Sequence, residues 1–438
     1  MKRRNFFKSI GGVAGALAIP PVLEAFAPRV YNPFEWPGNP TEDKFWTAIR
    51  KQFLLPKDYS YLNTAGLGSS PVPILDRVHE EMKQKEIKPG PTHDLTKWKE
   101  VKSKCASLLG SGIKREEIAF IGCATEGINI ILNGLSLKRG DEIITSTHEH
   151  IALLVPLMNK LVNEGIIFKM FEPDMVDGKG NISRIEQLIT ERTRLIFVSH
   201  ITCTTGQVMP LKEISELARS RDILFAVDGA QGPGQIAFNL AETGADFYTF
   251  SAHKWLLAPM RTGILYVNEK KIDRLKPTVV GAYSAVSLSL EEHILNLSPD
   301  AQRYEYGTQN DSLFFGLAGA LDFISSIGIR DIALHNKNLS EAFYKKIAEV
   351  PGVELLSPQQ EEWRSATVSF RMKGIISEDI AGTLTNKGIR VRVVKEASLN
   401  SLRVSFHIYN NQKDIEKFLE CITWMVKDPT RKKIKLSA

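Results

Sequence analysis

Seven short apolar runs constrain this chain more than any other feature: Ile118–Ile121, Glu142–Thr145, Ile166–Phe171, Leu195–Ser199, Leu224–Val227, Phe247–Phe250 and Gly263–Val267. Runs that are apolar on both faces read as strands buried on both sides, the habit of parallel sheets covered by helices. Amphipathic helices lie between several of them. Leu211–Arg219 is one, opened by Pro210 and placing Ile214, Leu217 and Ala218 on one side. Another starts at Trp98, places Trp98, Val101, Cys105 and Leu108 on one face, and stops at Gly110. The alternation predicts an α/β fold, a three-layer sandwich around a mainly parallel seven-stranded sheet. Such a sheet carries its site at the carboxyl ends of the strands.

The pattern changes after Tyr304–Asn310. A helical stretch, Leu313–Ser326, leads away from the sheet, and Thr367–Arg371, Ile389–Val394 and Leu402–Phe406 read as short strands. Asp414–Trp424 closes as an amphipathic helix with Ile415, Phe418, Leu419 and Ile422 on one face. These elements predict a smaller C-terminal α+β domain. The expected division is an export segment over 1–27, an N-terminal arm over 28–79, a large domain over 80–316 and a small domain over 317–438. The arm contains YLNTAGLGSSP, too rich in turn formers to be a regular element, and is expected to line the cleft with Asn63 as a candidate substrate contact.

The formal charge of +6 invites a nucleic-acid reading until it is located. Lys2, Arg3, Arg4 and Lys8 lie in the leader, and Lys427, Arg431, Lys432, Lys433 and Lys435 lie in the tail, which leaves the body near neutral. A neutral body gives no groove-scale field for a phosphate backbone, so no nucleic-acid partner is expected. Arg3-Arg4 followed by Asn5-Phe6-Phe7-Lys8 and an apolar run from Ile10 to Leu23 resembles a twin-arginine export signal. It predicts an exported, periplasmic protein with no stable membrane span after processing; a cytoplasmic or membrane-anchored protein is the alternative. Four separated cysteines, Cys105, Cys123, Cys203 and Cys421, form neither a disulfide framework nor a C-x-x-C site. His148, His200 and His253 have no metal-ligand spacing, so no metal is expected.

Chemistry concentrates at three strand ends. Thr249-Phe-Ser-Ala-His-Lys-Trp255 places Ser251, His253 and Lys254 where one strand stops, and Ile223–Asp228 ends an apolar strand on a carboxylate. Gly122-Cys-Ala-Thr-Glu-Gly127 joins a strand to a helix, so its backbone N–H groups and the Thr125 hydroxyl can cradle a phosphate. Cradle, aspartate and lysine in this order suggest pyridoxal 5'-phosphate more than a nucleotide. Lys254 would hold the cofactor aldehyde as a Schiff base and move protons at the substrate α-carbon. Asp228 would keep the pyridine nitrogen protonated.

On these motifs the chain resembles the fold-type I pyridoxal phosphate enzymes of aminotransferase class V, which include cysteine desulfurases and isopenicillin N epimerases. The resemblance covers about residues 60–425. It implies that Lys254 is the Schiff-base lysine, Asp228 the pyridine-nitrogen partner and Gln231 the partner of the ring hydroxyl. Ala124, Thr125, Ser251 and His253 would hold the phosphate, with Thr308 of Tyr306-Gly307-Thr308 reaching in from the second subunit of a homodimer. His150, in Glu149-His150-Ile151-Ala152, would stack on the ring as a catalytic residue. Arg403 would clamp the carboxylate of an amino acid substrate beside Arg392.

Two positions depart from the family pattern. Desulfurases need a nucleophilic cysteine in the loop after the Gly388–Arg392 strand, and here that loop reads Val393-Val-Lys-Glu-Ala-Ser-Leu-Asn400. Cys203 stands where many members have an asparagine near the ring hydroxyl. The resulting expectation is amino acid conversion through an external aldimine and α-proton abstraction, by transamination or epimerisation, with Tyr283 or Tyr306 as the candidate second acid. Two alternatives stand beside it: a β-eliminating C–S lyase without a persulfide cysteine, and a non-catalytic pyridoxal phosphate-binding protein.

Overall fold

All seven expected strands form, and they join one sheet. The computed structural model describes residues 34–90 and 94–427; the segment 1–27 expected to be an export signal and the tail beyond Lys427 lie outside them. The strands are β1 (Ile118–Ile121), β2 (Glu142–Ser146), β3 (Ile167–Phe171), β4 (Thr193–Ser199), β5 (Leu224–Asp228), β6 (Phe247–Ser251) and β7 (Gly263–Val267). Their order is β1-β7-β6-β5-β4-β2-β3, and only β7 runs antiparallel to its neighbours. The alternation of side chains across the pleat divides the core in two. Ala119, Ile121, Phe197, Ala226, Phe247 and Leu265 pack with Ile128 and Ile131 of one helix (Ala124–Gly134) and Leu153 and Leu157 of another (Ile151–Glu164). On the opposite face Phe120 stacks on Phe314 at 4.7 Å and meets Trp98 edge-on at 4.9 Å.

Edge strand β1 has a polar stopper. Glu305 accepts the Phe120 N–H at 2.7 Å and the Trp98 indole at 2.9 Å, and Lys102 pairs with it at 2.9 Å. An edge N–H satisfied in this way cannot recruit another strand.

The second sheet is antiparallel throughout: β8 (Val353–Leu355), β9 (Thr367–Met372), β10 (Arg392–Val394) and β11 (Ser401–Ser405), in the order β8-β9-β11-β10. Phe343 anchors its core, with ring centroids 5.0 Å from Phe418 and 5.4 Å from Phe406. The strand expected over Ile389–Val394 is divided at Val391. Ile389–Arg390 pairs in parallel with Ser60–Tyr61 of the arm, and only Arg392–Val394 joins the small sheet. One extended run thus serves two partners on different sides.

The sequence reading needs two further adjustments. The arm is helical on either side of its irregular centre, over Asp43–Arg50 and Val72–Ile87. Pro71 and Pro73 stand at the N-terminus of the second helix, where proline's missing N–H costs nothing. The expected limits at 79/80 and 316/317 fall inside helices Val72–Ile87 and Asp311–Ile327. Between β7 and Asp311–Ile327 the chain also makes a two-stranded hairpin, Ala285–Ser289 with Ile294–Leu297.

Buried neutral histidines make the fold acid-sensitive. Burial pushes His200 and His407 down to about 3. Both lie below the ordinary value near 6.5, so their contribution is complete above that pH and is lost as pH falls toward 3. Glu149, pushed up to about 7 by burial, acts in the opposite sense over the same range and offsets one of them. His150, His253 and His335, each pushed down to about 4 by burial, act in the same sense as His200 and His407, so the melting temperature is expected to fall between pH 6.5 and 4.5. His407→Gln should flatten that slope in a thermal melt series.

Candidate active site

The carboxyl ends of the parallel strands open into a cavity of about 380 Å³. Its floor is set by register: Ser199 on β4 lies opposite Asp228 on β5, which lies opposite Thr249 on β6. At one end β1 passes through Gly122 and Cys123 into the helix Ala124–Gly134. The Ala124 N–H donates to Ser251 Oγ at 2.9 Å, and Glu126 accepts the Gly122 N–H at 2.8 Å. Thr125 stands exposed on the first turn and lines the cavity. A Cβ on Gly127 would lie 2.0 Å from Thr249 Oγ1, so glycine there lets the helix lie close against the sheet.

Lys254 follows β6 and lines the same cavity with His253 and Ser251. Loss of hydration lowers its pKa, and the charge of Asp228 opposes the shift. A lowered pKa makes it easier to free the amine for attack on a carbonyl. Asp228 is buried, accepts the Ala230 N–H at 2.9 Å, and has its pKa raised by burial against the pull of Lys254. The irregular arm crosses above: the Gly68 N–H donates to the His253 carbonyl at 2.8 Å, and a Cβ on Gly68 would fall 2.0 Å from the Lys254 carbonyl. Gln231 lines the cavity, but its amide also bridges Ala65 O at 3.0 Å and the Trp255 indole at 2.7 Å.

His150 caps the helix Ile151–Glu164, its Nδ1 accepting from the Ala152 N–H at 3.1 Å. That bond leaves the neutral ring's proton on Nε2. Burial and the Lys254 charge push His150 down to about 4, so it is neutral at pH 7. Neighbouring Glu149 is fully enclosed and accepts from the Ser146 and Ser199 hydroxyls and the Ser199 N–H.

Arg403, on β11, is 1% exposed. Its Nη1 donates to the Cys203 carbonyl at 2.7 Å and its Nη2 to Asn63 Oδ1 at 3.1 Å, while Nε has no partner. Burial and the adjacent Arg392 bring it down to about 10. Arg392, directly opposite Arg403 in the strand register, hydrogen-bonds Glu396.

The cavity thus gathers Ala124, Thr125, His150, Asp228, Gln231, Ser251, His253, Lys254, Arg392 and Arg403. Asn63 does not line it but holds Arg403 from behind. Thr308, Tyr283 and Tyr306 do not line it in this chain. Ala65 and Gly66 line the cavity from the YLNTAGLGSSP segment expected at the cleft, whereas sequence reading missed Ser199, Ile201 and Ala230 as lining residues. Ser199 and Ala230 were readable from their positions beside predicted strand ends; Ile201 carries no chemical signal.

This arrangement fits pyridoxal phosphate. His253 Nδ1 is buried without a partner beside the first turn of a helix, a donor set suited to a phosphate. Asp228 is a desolvated carboxylate that a protonated ring nitrogen would relieve. Fold and site therefore define a fold-type I pyridoxal phosphate enzyme.

Comparison with known proteins narrows the class. The chain matches the class-V aminotransferase family over residues 61–418 and belongs to it. It is 30% identical over 396 residues to a probable cysteine desulfurase of Chlamydia trachomatis, an alignment covering 85% of this chain and 97% of that protein. It is 28% identical over 387 residues to one from Methanothermobacter thermautotrophicus, covering 84% and 95%. The apo structure of a cysteine desulfurase from Thermococcus onnurineus superposes with a TM-score of 0.78 at 27% identity, covering 87% of this chain and 98% of that one.

When bound, the cofactor supplies an electron sink for negative charge at the substrate α-carbon. Lys254→Ala is expected to abolish the visible absorption band of the loaded protein and its turnover. Arg403→Lys replaces a planar fork by a point charge and should weaken amino acid binding by roughly tenfold or more, read as the shift of that band on titration.

Proposed function

We propose that the protein is a β-eliminating C–S lyase acting on a cysteine-type α-amino acid, with no enzyme-bound persulfide. The observation that carries this reading is a cavity equipped for an amino acid but lacking a reactive thiol. Loop 393–400 holds no cysteine. Cys203 lines the cavity, but burial pushes its thiol up to about 12, and a protonated thiol is a poor nucleophile. Cys123 also lines the cavity, but at its phosphate-cradle end as the cap of a helix, away from the 393–400 loop that carries the nucleophile in desulfurases. The relatives are cysteine desulfurases by name, which favours breaking a C–S bond over transamination or epimerisation. Epimerisation needs a second acid facing Lys254, and neither Tyr283 nor Tyr306 of this chain lines the cavity.

In this reading Arg403 binds the α-carboxylate and fixes the α-hydrogen toward Lys254. Lys254 removes that proton, and the C–S bond breaks with both electrons leaving on sulfur. The thiol departs, and one water converts the remaining carbon skeleton to pyruvate and ammonia. His150 is a neutral imidazole at pH 7 and not an imidazolium acid, so it orients the reacting groups rather than protonating the sulfur. With L-cysteine the expected products are sulfide, pyruvate and ammonia in equal amounts, without added thiol and without a keto acid acceptor. α-Deuteration with racemised, sulfur-retaining product, or keto acid formation that requires an acceptor, would sink the lyase reading.

The homodimer is part of the same proposal. The hairpin Ala285–Ser289/Ile294–Leu297 exposes Val286, Leu288, Leu290 and Leu295. A two-stranded hairpin is marginal in water and needs a cover. A second subunit would supply that cover and bring its own Thr308 to this cavity. Leu288→Glu is expected to halve the mass measured by light scattering.

A further inference from the structure

Two guanidinium groups directly opposite one another on neighbouring strands are an awkward arrangement, because like charges in that register repel. Arg392 on β10 and Arg403 on β11 occupy such a pair, and both line the cavity. They are not equivalent. Arg403 lies fully buried, with no carboxylate within ion-pair distance among the described residues. Arg392 carries an ion pair with Glu396, whose side chain is 12% exposed.

The loop that delivers Glu396 is contorted. After β10 the chain makes a short turn in which Ala397 (φ 52°), Ser398 (φ 55°) and Asn400 (φ 43°) are all left-handed, a conformation non-glycine residues avoid. It is held by Ser377 Oγ donating to the Asn400 carbonyl at 2.8 Å and by the Lys395–Glu378 ion pair at 3.0 Å. The Lys395 N–H donates to the second Glu396 oxygen at 3.1 Å. The last of these orients the carboxylate beside Arg392, while the first two hold the turn. Burial alone would raise the Glu396 pKa, yet backbone donation and the Arg392 charge outweigh it, and the carboxyl stays ionised at neutral pH.

We propose that Glu396 is a specificity-determining residue: by neutralising Arg392 it leaves Arg403 as the cavity guanidinium without an ion pair among the described residues, so the cavity selects amino acids with uncharged side chains against those with a side-chain carboxylate. The proposal rests on the amino acid reading above and deepens it. An acidic substrate has two carboxylates to place. The first goes to Arg403; the second finds Arg392 already paired and a fixed negative charge beside it. A cysteine-type side chain makes no such demand.

The test titrates the cofactor-loaded enzyme with L-alanine, which has no β-leaving group, and with L-aspartate, following the visible band to obtain Kd values. The wild type is expected to bind alanine at least about tenfold more tightly, the ratio one unrelieved ionic contact produces. Glu396→Gln should lower that ratio by about tenfold, chiefly through tighter aspartate binding. Glu396→Met, of similar length, repeats the measurement should the glutamine variant fold poorly. The double variant Arg392→Gln/Glu396→Gln removes both charges and should return the ratio to the wild-type value, which a merely structural role for Glu396 would not do. A wild type that binds both ligands equally, or a ratio unmoved in folded Glu396 variants, would overturn the proposal. If neither amino acid perturbs the band while the cofactor remains bound, the amino acid reading fails and takes this inference with it.

Discussion

A buried guanidinium holds the site together. Arg403 belongs to the small antiparallel sheet, yet its donors reach the Cys203 carbonyl beyond the end of β4 and the Asn63 side chain of the arm. Three segments far apart in sequence therefore meet at one cation. Burying a charge is costly unless it is hydrogen-bonded, and here the satisfaction is incomplete, because Nε has no partner. In the proposed lyase reading, a substrate carboxylate meets that demand.

Other polar contacts support the same junction. The Ala366 N–H donates to Gln235 at 2.9 Å, Ser357 Oγ to the Thr205 carbonyl at 2.7 Å, and His407 Nε2 to the Trp255 carbonyl at 2.9 Å. Each joins a group on the small-sheet side to one on a loop leaving the large sheet. Trp255 follows Lys254 directly, so the His407 contact fixes the backbone next to the lysine. The two halves are thereby coupled at the residues that bear the chemistry.

Much of the fold was legible because it follows from burial. A strand covered on both faces is largely apolar, and six of the seven runs stand out for that reason; the seventh, edge strand β3, is only partly buried. The lysine, the aspartate and the helix-capping turn were legible because parallel strands point their carboxyl ends one way. The divided run around Val391 was not, since pairing with Ser60–Tyr61 depends on an arm more than 300 residues away in the chain. The Asn63 contact to Arg403 was half-legible: the arm was expected at the cleft, but the side chain supports the arginine instead of lining the cavity.

The sequence by itself determined the sheet, the cofactor chemistry and the absence of a thiol in loop 393–400, because periodicity and residue type are local properties. Only the tertiary structure decided the charge balance of the cavity. Arg392 and Arg403 look alike in sequence, and their difference comes from strand register and a contorted turn that bring Glu396 to one and leave the other open. It also decided the state of Cys203, whose thiol is kept protonated by desolvation. Electrostatics in a low-dielectric cavity depends on distance and burial, and neither is written in the order of the residues.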